Sequence, residues 1–287
     1  MRTLSQTAVA WTAVVTLGVT PPAHAQGNGR PKAPRPESVI TTPTVSATSP
    51  VPTYPQFGAW LDDASALAKG DGALNIGAGY WRLAGMAQTN VPMLGGGIGV
   101  TDRVQVSASV PFYRVATPTW SAHGIDDVYL SGKYMVLDPT LTVSEVGLAI
   151  SPLLEVLSAD AGDGRVHFAL PVSLELRRAP FRVYGSAGYF TRGAVFGGGA
   201  IEWTSAGGVS LTGAVMQSYS VKTPNAIPTD LERRHADVSV AIAAPVVGAL
   251  SVYGSAGRSL TSVESGGASL ALSGGLSFRF RASSSIP

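Results

Sequence analysis

In VHFALPVSLELR, residues 166–177, the side chains alternate without a break. Val166, Phe168, Leu170, Val172, Leu174 and Leu176 make one row; His167, Ala169, Pro171, Ser173, Glu175 and Arg177 make the other. Successive strand side chains point to opposite faces, whereas a helix repeats every 3.6 residues, so this stretch is a strand with one wholly apolar face. In VQVSASVPF the rows are Val104, Val106, Ala108, Val110 and Phe112 against Gln105, Ser107, Ser109 and Pro111. Near the end of the chain, GGASLALSGGLSFRF (266–280) keeps apolar residues or glycine at every even position from Ala268 to Phe280. A strand of a soluble sheet runs about 5–6 residues; this one is about twice as long.

Twelve such segments span 73–83, 90–99, 103–113, 125–137, 142–156, 166–177, 181–190, 194–203, 208–217, 235–245, 249–258 and 267–280. Short turns (VTDR, DPTL, RRAP, TSAG and VVGA) follow every second segment, and longer polar connections near 114–124, 157–165 and 218–234 lie at the other end. Short turns at one end and long loops at the other, joined by strands of about 9–11 residues, are the pattern of a transmembrane β-barrel. The fold expected is all-β: a closed antiparallel up-and-down transmembrane barrel of about twelve strands over 73–280, because an open edge in hydrocarbon leaves backbone groups unpaired. Residues 236–254 have the hydropathy of a spanning helix, but Pro245, Gly248 and the alternation of Val238, Val240 and Ile242 make them two strands and a turn. Aromatics gather at the strand ends as an interfacial girdle: Tyr80, Phe112, Phe168 and Tyr189 at one, Tyr134, Phe181, Trp203, Phe278 and Phe280 at the other. A soluble sandwich would carry Lys, Glu and Thr on its outer rows.

Residues 1–25 read as a secretory signal peptide: Arg2, an apolar stretch too short to span a membrane, a Pro-Pro pair and AHA before Gln26. Residues 26–56, rich in Pro, Thr and Ser, form a disordered linker. Residues 57–72 make a short helical entry or plug segment, with WLDDASALAK (60–69) as the helix and Asp62 or Asp63 near its start. Residues 281–287 are a C-terminal tail. A net charge of +2 without a clustered basic face gives no nucleic-acid partner, and zero cysteines leave no disulfide or thiolate site.

The stretch GIGVTDRVQVSASVPFY followed by GIDDVYLSGKYMVL resembles the outer-membrane proteins grouped as the meta-pathway phenol degradation-like, or transporter, family. ALAKGDGALNIGAGY resembles that family's approach to its first strand, so the likeness covers about residues 65–280. It implies an outer-membrane channel for small, often hydrophobic or aromatic, compounds. Phe280 resembles the C-terminal signal read by the barrel-insertion machinery, from which the extension RASSSIP departs.

Inner-row parity places Lys133, Glu145, Glu175, Arg182, Glu202 and Arg279 at one depth toward the short turns, as a charge belt that can pair across strands, read either as solvated rim charges and structural pairs or as a constriction of the lumen. Asp127, Glu155, His167 and Asp237 make a mostly acidic mouth at the opposite end; Tyr129, Tyr184, Phe196 and Tyr253 line the wall between. On inner rows, arginine at Ser107 or Ser173 is expected to be mild. His123 and His167 lack the His-x-Ser-Asn-Gly context of an outer-membrane phospholipase, and no G-x-S-x-G elbow occurs. Neither a catalytic nor a metal site is expected, and no cofactor. The function expected is a channel or transporter in the bacterial outer membrane, set among its lipids and lipopolysaccharide. The alternatives are a structural or adhesive barrel and, less well supported, a lipid-modifying enzyme; some 30 residues before the barrel are too few for an autotransporter passenger.

Overall fold

The structure is a computed structural model. It describes residues 61–281, apart from residues 84, 119–120, 143–144, 158–164, 192, 222–233 and 263–266. The expected signal peptide, the linker, the tail beyond Arg281 and most of the long loops at 157–165 and 218–234 lie outside the described residues.

The strands run in chain order as β1 (Asp71–Leu83), β2 (Met86–Thr101), β3 (Val104–Ala116), β4 (Ser121–Ile125), β5 (Val128–Leu137), β6 (Val146–Ile150) and β7 (Leu153–Val156). There follow β8 (Val166–Arg178), β9 (Phe181–Phe190), β10 (Ala194–Thr204), β11 (Ser210–Ser220), β12 (Arg234–Val247), β13 (Leu250–Ser259) and β14 (Leu270–Arg281). β4 with β5, and β6 with β7, are each one wall strand interrupted at Asp126–Asp127 and at Ser151–Pro152, so twelve staves circle the barrel. Each stave pairs antiparallel with its chain neighbours, and β1 meets β14 from Asp71↔Arg281 to Arg82↔Leu270 to close the wall. An ion pair at the seam, Arg281 Nε to Asp71 Oδ1 at 2.6 Å, ties the last strand's end to the first strand's start.

All twelve expected segments are strands. The apolar stretch 236–254 is β12, the two-residue turn Gly248–Ala249 and β13, with Gly248 at φ +54°, where a side chain is disfavoured. Among the described residues no helix is long and apolar enough to cross a membrane. Ala268, expected on the outer row of the last strand, precedes β14 and is buried.

The wall's two faces follow the alternation. On β8 the odd-numbered residues from His167 to Glu175 are buried while Val166, Phe168, Leu170, Val172, Leu174 and Leu176 are exposed. Exposed rows on the other staves are apolar along most of their length, as at Leu74 and Ile76, Ile201 and Trp203, Leu211 and Val215, Val240 and Ile242, and Leu272 and Leu276, with Arg82, Arg114, Gln217 and Arg258 exposed toward the long-loop ends. In water such a belt would carry the cost of apolar exposure at about 25 cal/mol per Å²; in hydrocarbon it carries none. Seven of the nine expected girdle aromatics are exposed on it, and Tyr80 and Phe112 are partly so. The core therefore lies inside the barrel. Some of it is packed rather than wet: Ser173 and Glu175 have no accessible surface. Arginine at Ser173 has no room, so the mild effect expected there is withdrawn; Ser107 is partly exposed and keeps it.

Candidate functional site

What fills the short-turn end of the lumen is the chain's own residues 61–67. Every one of them is buried, Asp63 and Ala64 completely. They run up the inside of the wall and turn into β1 at Gly70, whose φ of +79° suits glycine. Where the segment crosses β2, Lys69 and Gly99 form a bridge and the Gly70 N–H donates to the Gly99 carbonyl at 2.9 Å. A Cβ on Gly99 would fall inside van der Waals contact with the Ala68 carbonyl oxygen, so this crossing requires glycine.

The helix expected over 60–69 is absent from its described part; residues 61–68 carry no helical structure. Helical bonding would spend the segment's N–H groups internally, and here the wall takes them. Asp62 N–H donates to Ser186 Oγ (3.2 Å), Ala64 N–H to Glu175 Oε2 (3.2 Å) and Leu67 N–H to Gln105 Oε1 (2.9 Å). The Ser65 N–H turns back to Asp63 Oδ1 at 3.2 Å, the local turn that Asp favours over helix.

Three of the six expected belt residues, Lys133, Glu175 and Arg182, bond this segment, and a fourth, Glu202, joins it through Arg182. Lys133 Nζ donates to Asp62 Oδ1 (2.8 Å), Asp63 Oδ1 (3.2 Å) and the carbonyl oxygens of Asp63 (3.1 Å) and Ser65 (3.0 Å). Arg182 reaches Asp63 Oδ2 at 2.7 Å with one nitrogen and Glu202 Oε2 on the next strand at 3.0 Å with another, and its guanidinium lies 4.7 Å from the Tyr184 ring centre. Glu175 receives Arg177 Nε at 2.6 Å and Ser65 Oγ at 2.7 Å; Arg177 also donates to Ser65 Oγ. The pairing across strands is thus only part of the network, and its larger part joins wall to segment. Arg279 is partly buried on the inner face of β14. Glu145 stands apart: it is exposed in the connection before β6, at φ +54°, because its stave begins one residue later than the alternation implies.

Burial works against both segment carboxylates. It pushes Asp62 above the usual carboxylate range, Lys133 offsetting only part of the cost. For Asp63 the same penalty is outweighed by Lys133, Arg182 and Arg177, which hold its carboxyl below that range.

Above the ion pairs, Leu61 inserts among Tyr184, Ala200, Ala214, Met216, Ala241 and Ala243, with Tyr253 against the group. Tyr253 itself lies over Gly77 and Gly275, where a Cβ on either would come within 2.6 Å of its hydroxyl. Tyr129 is buried and donates to Glu155 Oε1 at 2.9 Å, and Phe196 packs beside it. At the far end Glu155, His167 and Asp237 are buried as inner-row residues, and His167 is 6.3 Å from the Phe190 ring. Asp127 is partly exposed in the interruption between β4 and β5. One extra residue there shifts parity, and Asp126 rather than Asp127 accepts from Asn90 Nδ2 at 3.0 Å.

Sequence reasoning missed Gln105, Asn90 and Arg177 as site residues, and missed Ser259 and His235 as partners that form a cluster with the expected Asp237. In that cluster Ser259 Oγ donates to Asp237 Oδ1 at 2.6 Å, and both oxygens crowd the same ring nitrogen, His235 Nε2, at 3.3 and 2.9 Å. A hydrolytic relay needs the carboxylate and the hydroxyl on opposite ring nitrogens, so this arrangement is a hydrogen-bond cluster and not a relay.

No family model matches the chain, and no curated protein does. Solved structures do. The COG4313 outer membrane channel from Pseudomonas putida F1 is 14% identical, with a TM-score of 0.58 over 76% of this chain and 98% of that one. The NanC porin is 10% identical, with a TM-score of 0.52 over 71% and 98%. A KdgM porin, solved in complex with disordered oligogalacturonate, is 10% identical with a TM-score of 0.52 over 72% and 99%. At these identities the likeness is one of fold: this chain is a twelve-stave antiparallel barrel of the shape those outer-membrane proteins share.

Proposed function

We propose that the protein is a channel of the bacterial outer membrane for small solutes, and that residues 61–68 close it at the short-turn end. The observation that carries the reading is a closed wall that is apolar outside and lined inside with charges and polar groups, an arrangement without use in water and fitted to a bilayer. The fold likeness to channels and porins supports it. Kinship with the meta-pathway phenol degradation-like proteins, export by a cleaved signal, contact with lipopolysaccharide and delivery by the barrel-insertion machinery are part of the same proposal. The reading is non-enzymatic, in keeping with the misaligned Ser259, His235 and Asp237.

A barrel with a structural role and no transport is the second reading, favoured by the complete burial of the closing segment. Planar-bilayer recording of the full chain separates the two. Wild type is expected to open rarely, and Asp62→Asn/Asp63→Asn to give discrete, larger conductances because Lys133 and Arg182 lose the charges that hold the segment. If both proteins are silent, the structural role stands and the channel reading falls.

A further inference from the structure

Lys133 stands on the inner face of β5 and is buried with the segment in place, and among the described residues all its polar partners lie on the segment, at Asp62, Asp63 and Ser65. Arg182 beside it has a wall carboxylate in Glu202, and Glu175 has Arg177. A buried ammonium without a counter-charge is among the least favourable groups a protein can hold. With the lumen filled at this depth the ammonium needs an anion, and the described wall supplies none within ion-pair distance. One residue before Asp62 along the segment, Leu61 occupies an apolar recess formed by Tyr184, Met216 and four alanines of β9 to β12, with Tyr253 at its edge. A carboxylate and a branched aliphatic group are presented together by two consecutive residues, Leu61 and Asp62.

We propose that this seat is a binding site for a small carboxylate with an apolar body, and that residues 61–65 occupy it as a tethered stand-in for that ligand. The carboxylate binds Lys133 and Arg182 in place of Asp62 and Asp63, and the apolar body takes the recess of Leu61. A cationic solute is refused by Lys133. A neutral polar solute gains nothing from the ammonium and leaves the recess unfilled. Because ligand and segment compete, binding releases the segment, and the solute that fits the seat is the one that opens the lumen. The proposal rests on the channel reading only in making this carboxylate the transported solute; the site can be tested without transport.

The chain contains no cysteine, so a single Ala64→Cys variant of the full-length protein reports release of the segment through its reaction with a charged maleimide. The probe is 4-methylpentanoate, which joins a leucine-like body to a carboxylate; its amide is the control. Labelling is expected to be slow alone and to accelerate saturably with the carboxylate, about tenfold at about ten times its dissociation constant. The amide should leave the rate unchanged. In Lys133→Met/Ala64→Cys, labelling should be fast from the start and indifferent to the carboxylate. Ala66→Cys, also at a buried position, repeats the measurement if Ala64→Cys disturbs folding. A rate that ignores the carboxylate, or that the amide raises equally, overturns the site. Carboxylate-dependent labelling supports it even in a barrel that is silent in bilayers, a result that would overturn the channel reading alone.

Discussion

Val172 is the seventh of the thirteen residues of β8 and lies on its outer face. Its lateral neighbours are Ile150 on β6 and Ala187 on β9, and along its own strand Leu170 and Leu174 flank it on the same face. An arginine there meets no carboxylate in the outer row, and from mid-strand its side chain has the longest path to either membrane surface. Arginine at the midplane of a membrane barrel costs about 2–4 kcal/mol, falling to about 0–1 near the interfaces. Val166, the first residue of the same strand, is equally exposed but sits at the end of the wall. The expectation is therefore a gradient: Val172→Arg shifts the folding equilibrium by about 30- to 700-fold, and Val166→Arg by about fivefold or less. Reversible urea unfolding in lipid vesicles, followed by tryptophan fluorescence and by the mobility difference between boiled and unboiled samples, measures both. Equal costs at the two positions, or a Val172→Arg protein as stable as wild type, would refute the placement of this face in hydrocarbon.

Other expectations concern the lumen and its loops. Lys133→Met takes from the buried Asp62 its cation while Asp63 keeps Arg182, a change worth about 3–5 kcal/mol for a broken buried pair, so openings in planar bilayers should become frequent; unchanged recordings would show that the segment is not held by charge. Gly99→Val should release the segment from β2 without altering any charge, and an unaltered maleimide rate at Ala64→Cys would contradict the packing at that crossing. Seated, Asp62 titrates above its free value, so its contribution strengthens as pH falls through that raised value, whereas the contribution of Asp63 persists until pH drops below the ordinary carboxylate range. Acidification from pH 7 to 5 should accordingly not open the channel, and an increase in conductance over that range would be the wrong sign. An epitope inserted between Ser220 and Arg234 should be accessible on intact cells, and a hidden one would reverse the orientation.

Strand number, stave boundaries and outer rows were legible because each is a local consequence of alternation: β8 could be read residue by residue. Parity failed where one residue was inserted, at Asp126–Asp127, since a bulge changes which face follows without changing composition. It failed at Glu145 because the position falls just before its strand. The belt residues Lys133, Glu175, Arg182 and Glu202 could be placed at one depth, but not their partners. Their partners on the segment are 68 to 119 residues away along the chain, and nothing local in LDDAS distinguishes a helix start from an extended strip bonded by the wall. An acidic pair followed by serine suits both; only the acceptors at Glu175, Gln105 and Ser186 decide between them.

The unequal attachment of the two cations has a consequence for descent. Arg182 has carboxylates on the wall as well as on the segment, so loss of Asp63 leaves it a counter-charge. Among the described residues Lys133 has none but those the segment brings. Drift at positions 62 and 63 should therefore drag position 133 with it, while Arg182 and Glu202 can persist together as an independent couple. Among homologous barrels, those whose entry segment has lost its acidic pair should carry a neutral residue in place of the lysine. A lineage that keeps the lysine without the aspartates would need another resident anion at that depth.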